Sequence, residues 1–258
     1  MRSTRRFGFA GASLYCALML SPQLPSSDKA EVIKRARAMY YNLPSQGVKE
    51  FRCLGAPDWK KFLASNPNKT IADDALLRRL NLVKFVVQIS VTDEPKVTPS
   101  TLGAIVLDDD LMRLIDGVKG TIQGFFMTWR GFVIMNPLDG CEIDSLEAGP
   151  DDYRISSKVP GLEAKTVMSK DFTITEVLAD YRESKVRIAP KFTVTSNGLL
   201  LESINNEIDG GKTQLLERIE YAQVEGLRLP GKVHVDTTVA EGRFVIDIAF
   251  EDYQVKKR

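Results

Sequence analysis

His234 is the sole histidine of this 258-residue chain, so no second imidazole exists for a histidine metal cluster or for paired acid–base catalysis. It alternates with Val233 and Val235 in a strand-like stretch, pointing to the face opposite theirs, and is expected to be an ordinary strand histidine. Asp108, Asp109 and Asp110 form a carboxylate run, but a calcium loop takes spaced ligands with a glutamate at a fixed offset, and none arrives. Standing ahead of an apolar periodic segment, the three aspartates are expected to favour the positive end of a helix dipole. Glu202, Asn205, Asn206 and Glu207 fall on both faces of a strand end and specify no carboxylate pair. No Gly-x-Ser-x-Gly elbow, Walker-type phosphate loop or Cys-x-x-Cys pair is present. An enzyme is therefore not expected, and no cofactor or metal is implied.

The elements that would position these residues are mostly strands. In Arg243–Glu251, Phe244, Ile246, Ile248 and Phe250 share one face of a strand with period two. Further strands are expected at 141–148, 153–158, 164–169, 172–181, 184–195, 198–208, 213–224, 232–238 and 242–255. Turn signals such as Ser196-Asn197-Gly198 and Asp209-Gly210-Gly211 separate them, and such short connections imply antiparallel pairing. Upstream, Val32, Ala36, Met39, Tyr40 and Leu43 mark a helix that opens at Asp28 and ends before Pro44. A short strand follows over 48–54, then two short helices within 57–82, then a strand over 84–92. Pro95 and Pro99 read as a loop. The most regular helix carries Leu111, Leu114, Ile115, Val118, Ile122, Phe125, Phe126 and Trp129 on one stripe. Gly117, Gly120 and Gly124 lie on another side, where they would admit a neighbouring backbone.

At the N-terminus, Arg2, Arg5 and Arg6 precede an apolar run from Phe7 to Leu20, the layout of a secretory signal peptide. The run is shorter than the roughly 20 apolar residues of a membrane span. Residues 1–27 are expected to be a signal, with cleavage near Ser26 or Ser27, leaving 28–258 as a single domain in the periplasm or secreted. Tyr15 before Cys16 argues against lipid attachment there. Export leaves Cys53 and Cys141, which permits a single disulfide. The formal net charge of +1 suggests no nucleic-acid partner.

Phe172, Ile174, Phe192, Leu199, Leu201, Ile219, Tyr221, Phe244, Ile246, Ile248 and Phe250 could line an apolar cavity facing Leu114, Val118, Ile122, Phe125 and Trp129 of the long helix, or pack as a filled core. Ala36-Arg37-Ala38-Met39-Tyr40-Tyr41 before the first strand, the phrases Met168–Glu176, Pro190-Lys191-Phe192 and Gly198–Leu201, and Tyr221–Pro230 in the closing meander resemble the LolA/LolB-like superfamily of periplasmic lipoprotein carriers and lipid-binding relatives. The resemblance covers residues 28–258 and implies an α+β fold: a strongly curved antiparallel sheet, an incomplete β-barrel, covered by helices around a cavity for acyl chains. Extra helical material around 57–130 would make the lid differ from that of the plain carrier. The expected function is non-covalent binding of a lipid or lipoprotein acyl chain, with an envelope protein as a possible partner. The rival expectation is a non-catalytic interaction or structural module of the envelope with a solid core.

Overall fold

The computed structural model describes residues 26–65, 74–102, 108–135, 137–159, 162–181, 184–240 and 242–258. The basic and apolar segment expected to direct export, with Cys16, lies outside them. The described chain runs α1 (Ser26–Met39), a 3-10 turn (Pro44–Gln46), β1 (Val48–Pro57), α2 (Trp59–Ser65), α3 (Asp74–Leu80), β2 (Val83–Ser90), β3 (Lys96–Thr101) and α4 (Asp109–Val133). A meander follows: β4 (Glu142–Ala148), β5 (Asp152–Val159), β6 (Leu162–Ser169), β7 (Ile174–Tyr181), β8 (Ser184–Thr195), β9 (Gly198–Ile208), β10 (Thr213–Val224), β11 (Leu227–Val239) and β12 (Gly242–Lys257).

The strands form one antiparallel sheet of twelve, in the order β3-β2-β1-β12-β11-β10-β9-β8-β7-β6-β5-β4. It is not closed: β3 and β4 are its edges, and α4 is the connection between them. Among the described residues no helix is long and apolar enough to cross a membrane.

Alternation fixes which face of each strand is buried. Val83, Phe85, Val87 and Ile89 of β2 are buried, as are Ile246, Ile248 and Phe250 of β12 and Val233 and Val235 of β11. The register places Val233 opposite Ile248 and Val235 opposite Ile246, so these side chains meet on one core face. Gly55 of β1 pairs with Phe250, and a Cβ there would stand 3.3 Å from the Phe250 ring. The glycine thus makes room for the ring in the sheet's surface.

Three elements differ from the sequence expectation. The Pro95–Pro99 stretch is not a loop, because β3 runs through Pro99 on the edge of the sheet, where a missing N–H breaks no second ladder. β11 begins at Leu227, before Pro230 and Gly231; pairing slips there by one residue, with Tyr221 opposite Pro230 and Glu220 opposite Lys232. That bulge absorbs both strand breakers. Finally, α1 ends at Met39, and Tyr40 makes a parallel bridge to Leu199 instead of a last helical turn.

The long helix follows its sequence closely. Asp108 caps α4, its carboxylate accepting the Leu111 N–H at 2.9 Å, and also receives Arg79 at 2.8 Å. Leu111, Ile115, Val118, Ile122, Phe125, Phe126 and Trp129 are buried, and Leu114 half-buried. Among the described residues nothing lies within 4 Å of a Cβ built at Gly117, Gly120 or Gly124, so no described backbone approaches them.

Candidate functional site

Three arrangements in the molecule bear on function: an aromatic-rich apolar layer, an ion cluster around Asp247, and two buried acceptors on the core face.

The apolar layer joins α4 to β1, β10 and β12. Phe125 stacks on Phe250 at 6.2 Å and 19°, Phe126 meets the same ring edge-on at 5.1 Å, and Trp129 meets Phe51 edge-on at 6.1 Å. Trp129 Nε1–H donates to Tyr221 Oη at 3.1 Å, and Tyr221 donates onward to the Leu201 carbonyl at 2.7 Å. Burial pushes the Tyr221 phenol well above its usual range, against the lowering effect of the Trp129 hydrogen bond. A second aromatic group ties α1 to the meander. Tyr40 Oη donates to the Phe172 carbonyl at 2.9 Å and accepts the Ile174 N–H at 2.7 Å, while its ring meets Phe192 edge-on at 5.2 Å.

The structure brings most of the expected ligand-binding residues into one apolar cluster. Val118, Ile122, Phe125, Trp129, Ile174, Ile219, Ile246, Ile248 and Phe250 are buried in it, and Leu114, Phe172, Phe192 and Tyr221 pack against it. Phe244 is half-buried at the start of β12 and does not join the cluster. Other residues line the surface grooves. One of about 420 Å3 runs past Asp144, Lys158, Glu163, Lys165, Arg187 and Glu207. Another, of about 690 Å3, runs past Lys191, Asn205, Arg218, Asp236 and Arg243.

Cys53 and Cys141 are free thiols, not the disulfide that export would permit. Cys53 is buried on β1, third strand from one edge, whereas Cys141 precedes β4, the opposite edge. Burial pushes the Cys53 thiol up to about 12, against a hydrogen bond with Tyr253. Cys141 donates to the Asp139 carbonyl at 3.6 Å.

On the opposite face of β11 and β12, the register sets His234 beside Asp247. His234 Nδ1 lies 2.6 Å from Asp247 Oδ1; Lys61 Nζ lies 2.9 Å from the same oxygen, and Lys232 Nζ lies 3.1 Å from Oδ2. Burial raises the Asp247 carboxyl, but the hydrogen bonds from Lys61, His234 and Lys232 outweigh it and hold the group well below the usual carboxylate range. Lys61 belongs to α2, which is also pinned by Asp58 N–H to the Asp247 carbonyl at 2.7 Å and Val245 N–H to Ser65 Oγ at 2.8 Å. The cluster thus fastens α2 to β12. Sequence reasoning saw His234 without Asp247, because strand register alone makes them neighbours.

The third arrangement was also missed. Glu217 on β10 and Asn206 on β9 are buried on the core face, and among the described residues Glu217 Oε2 and Asn206 Oδ1 have no hydrogen-bond partner. Their sequence neighbours turn outward: Glu207 accepts from Arg187 at 3.4 Å and Glu202 from Thr193 at 2.8 Å. Burial alone pushes the Glu217 carboxyl up to about 7. Among the described residues no group of three or more His, Cys, Asp or Glu side chains is placed to hold a metal ion.

No family model and no curated protein matches the chain.

Proposed function

We propose that this protein binds a lipid or lipoprotein acyl chain non-covalently, in a periplasmic or secreted setting, between a strongly curved sheet and the helices that cover it. The observation that carries the reading is α4 itself. It joins the two edges of an unclosed antiparallel sheet and lays Ile122, Phe125, Phe126 and Trp129 against Phe51, Gly55, Tyr221 and Phe250. Because no strand pairing runs through α4, the helix can shift to admit a chain while every ladder of the sheet stays intact. Each methylene removed from water stabilises binding by about 0.8 kcal/mol, so a long chain is held without a catalytic group. The unclosed antiparallel sheet is the coarse form that the resemblance to the LolA/LolB-like superfamily implies, and Arg2, Arg5, Arg6 and the apolar run to Leu20 support export.

The rival, an envelope interaction module with a solid core, draws support from close packing. A void of about 10 Å3 beside Phe51 and Ile89 holds no more than about one water. Mass spectrometry of organic extracts of natively purified protein decides between the two. Acyl lipid near one molecule per chain is expected. Lipid-free protein that also fails to bind a fluorescent fatty acid would exclude the carrier reading. N-terminal sequencing of the same sample reads cleavage near Ser26 or Ser27, and an intact Met1 on cytoplasmic protein would exclude export.

A further inference from the structure

Glu217 sits within β10, only 1% exposed, opposite Ile204 on β9 and Val235 on β11. Asn206, 6% exposed, stands two residues further along β9, opposite Leu215 on one side and Ile188 on the other. The two side chains are therefore diagonal neighbours on one face, within reach of a common small group. Ile188, Ile204, Leu215, Ile219 and Val235, which flank them on that face, are aliphatic, and Thr237 on β11 stands diagonal to Glu217. An unpaired buried acceptor is costly, and an apolar side chain would fill either position at less cost. Two adjacent buried acceptor atoms without a partner among the described residues leave room in the bonding pattern for an outside donor.

The donor must serve both oxygens. An ammonium group carries three N–H donors and offsets the carboxylate charge, which a single hydroxyl does not. The core face of β10 then continues through Ile219 to Tyr221, under Trp129, about 14 Å from Glu217 along the strand. Ile219 and Tyr221 are the core-face side chains over that distance, between the acceptors and the aromatic layer.

We propose that Glu217 and Asn206 bind the amino head of an apolar-tailed amine whose tail lies along Ile219 and Tyr221 toward α4. The proposal rests on the reading that this layer accepts an alkyl chain, and gives that ligand a cationic head.

The test compares decylammonium, decanol and decanoate by calorimetric titration of the mature protein at pH 8, where the Glu217 carboxyl, pushed up to about 7, is mostly ionised. Decylammonium is expected to bind about tenfold or more tightly than decanol, with decanoate weakest. Glu217→Gln should remove that preference. Asn206→Leu, which buries no new polar group, should also weaken decylammonium selectively, and carries the test if the glutamine variant fails to fold. Equal binding of amine and alcohol by the unmutated protein, or a preference for decanoate, would overturn the amino-head site while leaving alkyl binding in place. Failure of all three probes would overturn both.

Discussion

Raising the pH from 4.5 to 8 is expected to destabilise this protein through Glu217. Its carboxyl is buried, its Oε2 has no hydrogen-bond partner among the described residues, and burial alone raises it from the ordinary 4.5 to about 7. The folded state therefore holds the Glu217 proton more tightly than the unfolded chain. Stability from this group is fully present below about pH 4.5 and is lost as the pH rises through about 7. At 1.36 kcal/mol per unit, a displacement of about 2.5 units is worth about 3 kcal/mol, a large share of a typical folding free energy. Glu217→Gln keeps the shape and removes the titration. Denaturant unfolding at half-unit pH steps, run on both proteins, isolates the contribution: the variant should gain on the wild type by about 3 kcal/mol between pH 4.5 and 8, with most of the change below pH 7. A constant difference across that range would refute the reasoning, since it would mean that the folded carboxyl reaches water or a partner.

Ile246→Trp places a larger ring on the core face opposite Val235, where Ile246 is 4% exposed. If an acyl chain occupies this layer, the ring should weaken fluorescent fatty-acid binding at little cost to the melting temperature. If the core is solid, overpacking should cost about 1–3 kcal/mol with no ligand effect to lose. Asp247→Asn removes the carboxylate shared by Lys61, Lys232 and His234 and should cost about 1–2 kcal/mol at pH 7, discounted because both lysine ends are well exposed. The Asp247 carboxyl is depressed in the folded state, so its contribution is present above about pH 4 and fades on acidification. Paired unfolding curves should converge at low pH. A loss that persists unchanged in acid would assign the effect to packing.

What the sequence disclosed was what local periodicity encodes. The α4 stripe, the Asp108 cap and the Phe244–Phe250 alternation were legible because each depends on residues a few positions apart. β3 was not, since Pro99 argues against a strand in general but not against an edge, and edge position is a property of the whole sheet. The start of β11 was hidden in the same way: Pro230 and Gly231 break a regular strand but fit the bulge that the partner strand imposes. The Cys53–Cys141 pairing was inferred from parity in number, which carries nothing about strands that lie toward opposite edges. His234 shows the limit most directly. Its partner Asp247 lies on the next strand, and only the register that sets Val233 on Ile248 could have joined them.

Glu217 is the instructive omission, because a signal for it did exist. In the run Leu215-Leu216-Glu217-Arg218-Ile219-Glu220-Tyr221, Glu217 shares parity with Leu215, Ile219 and Tyr221, whereas Arg218 and Glu220 have the opposite parity. A strand whose apolar positions face the core must turn Glu217 inward with them. Glu217 lies next to Arg218 and near Glu220, and these charges mask that assignment. Once parity is applied, a carboxylate enters an aliphatic surface with no neighbouring cation on its own face, an arrangement that costs stability unless something outside the chain repays it. The same parity sets Asn206 with Ile204 on β9. Two such departures from an apolar pattern on adjacent strands coincide in space only through the β9–β10 register, which is why the sequence could suggest each residue singly but not the pair.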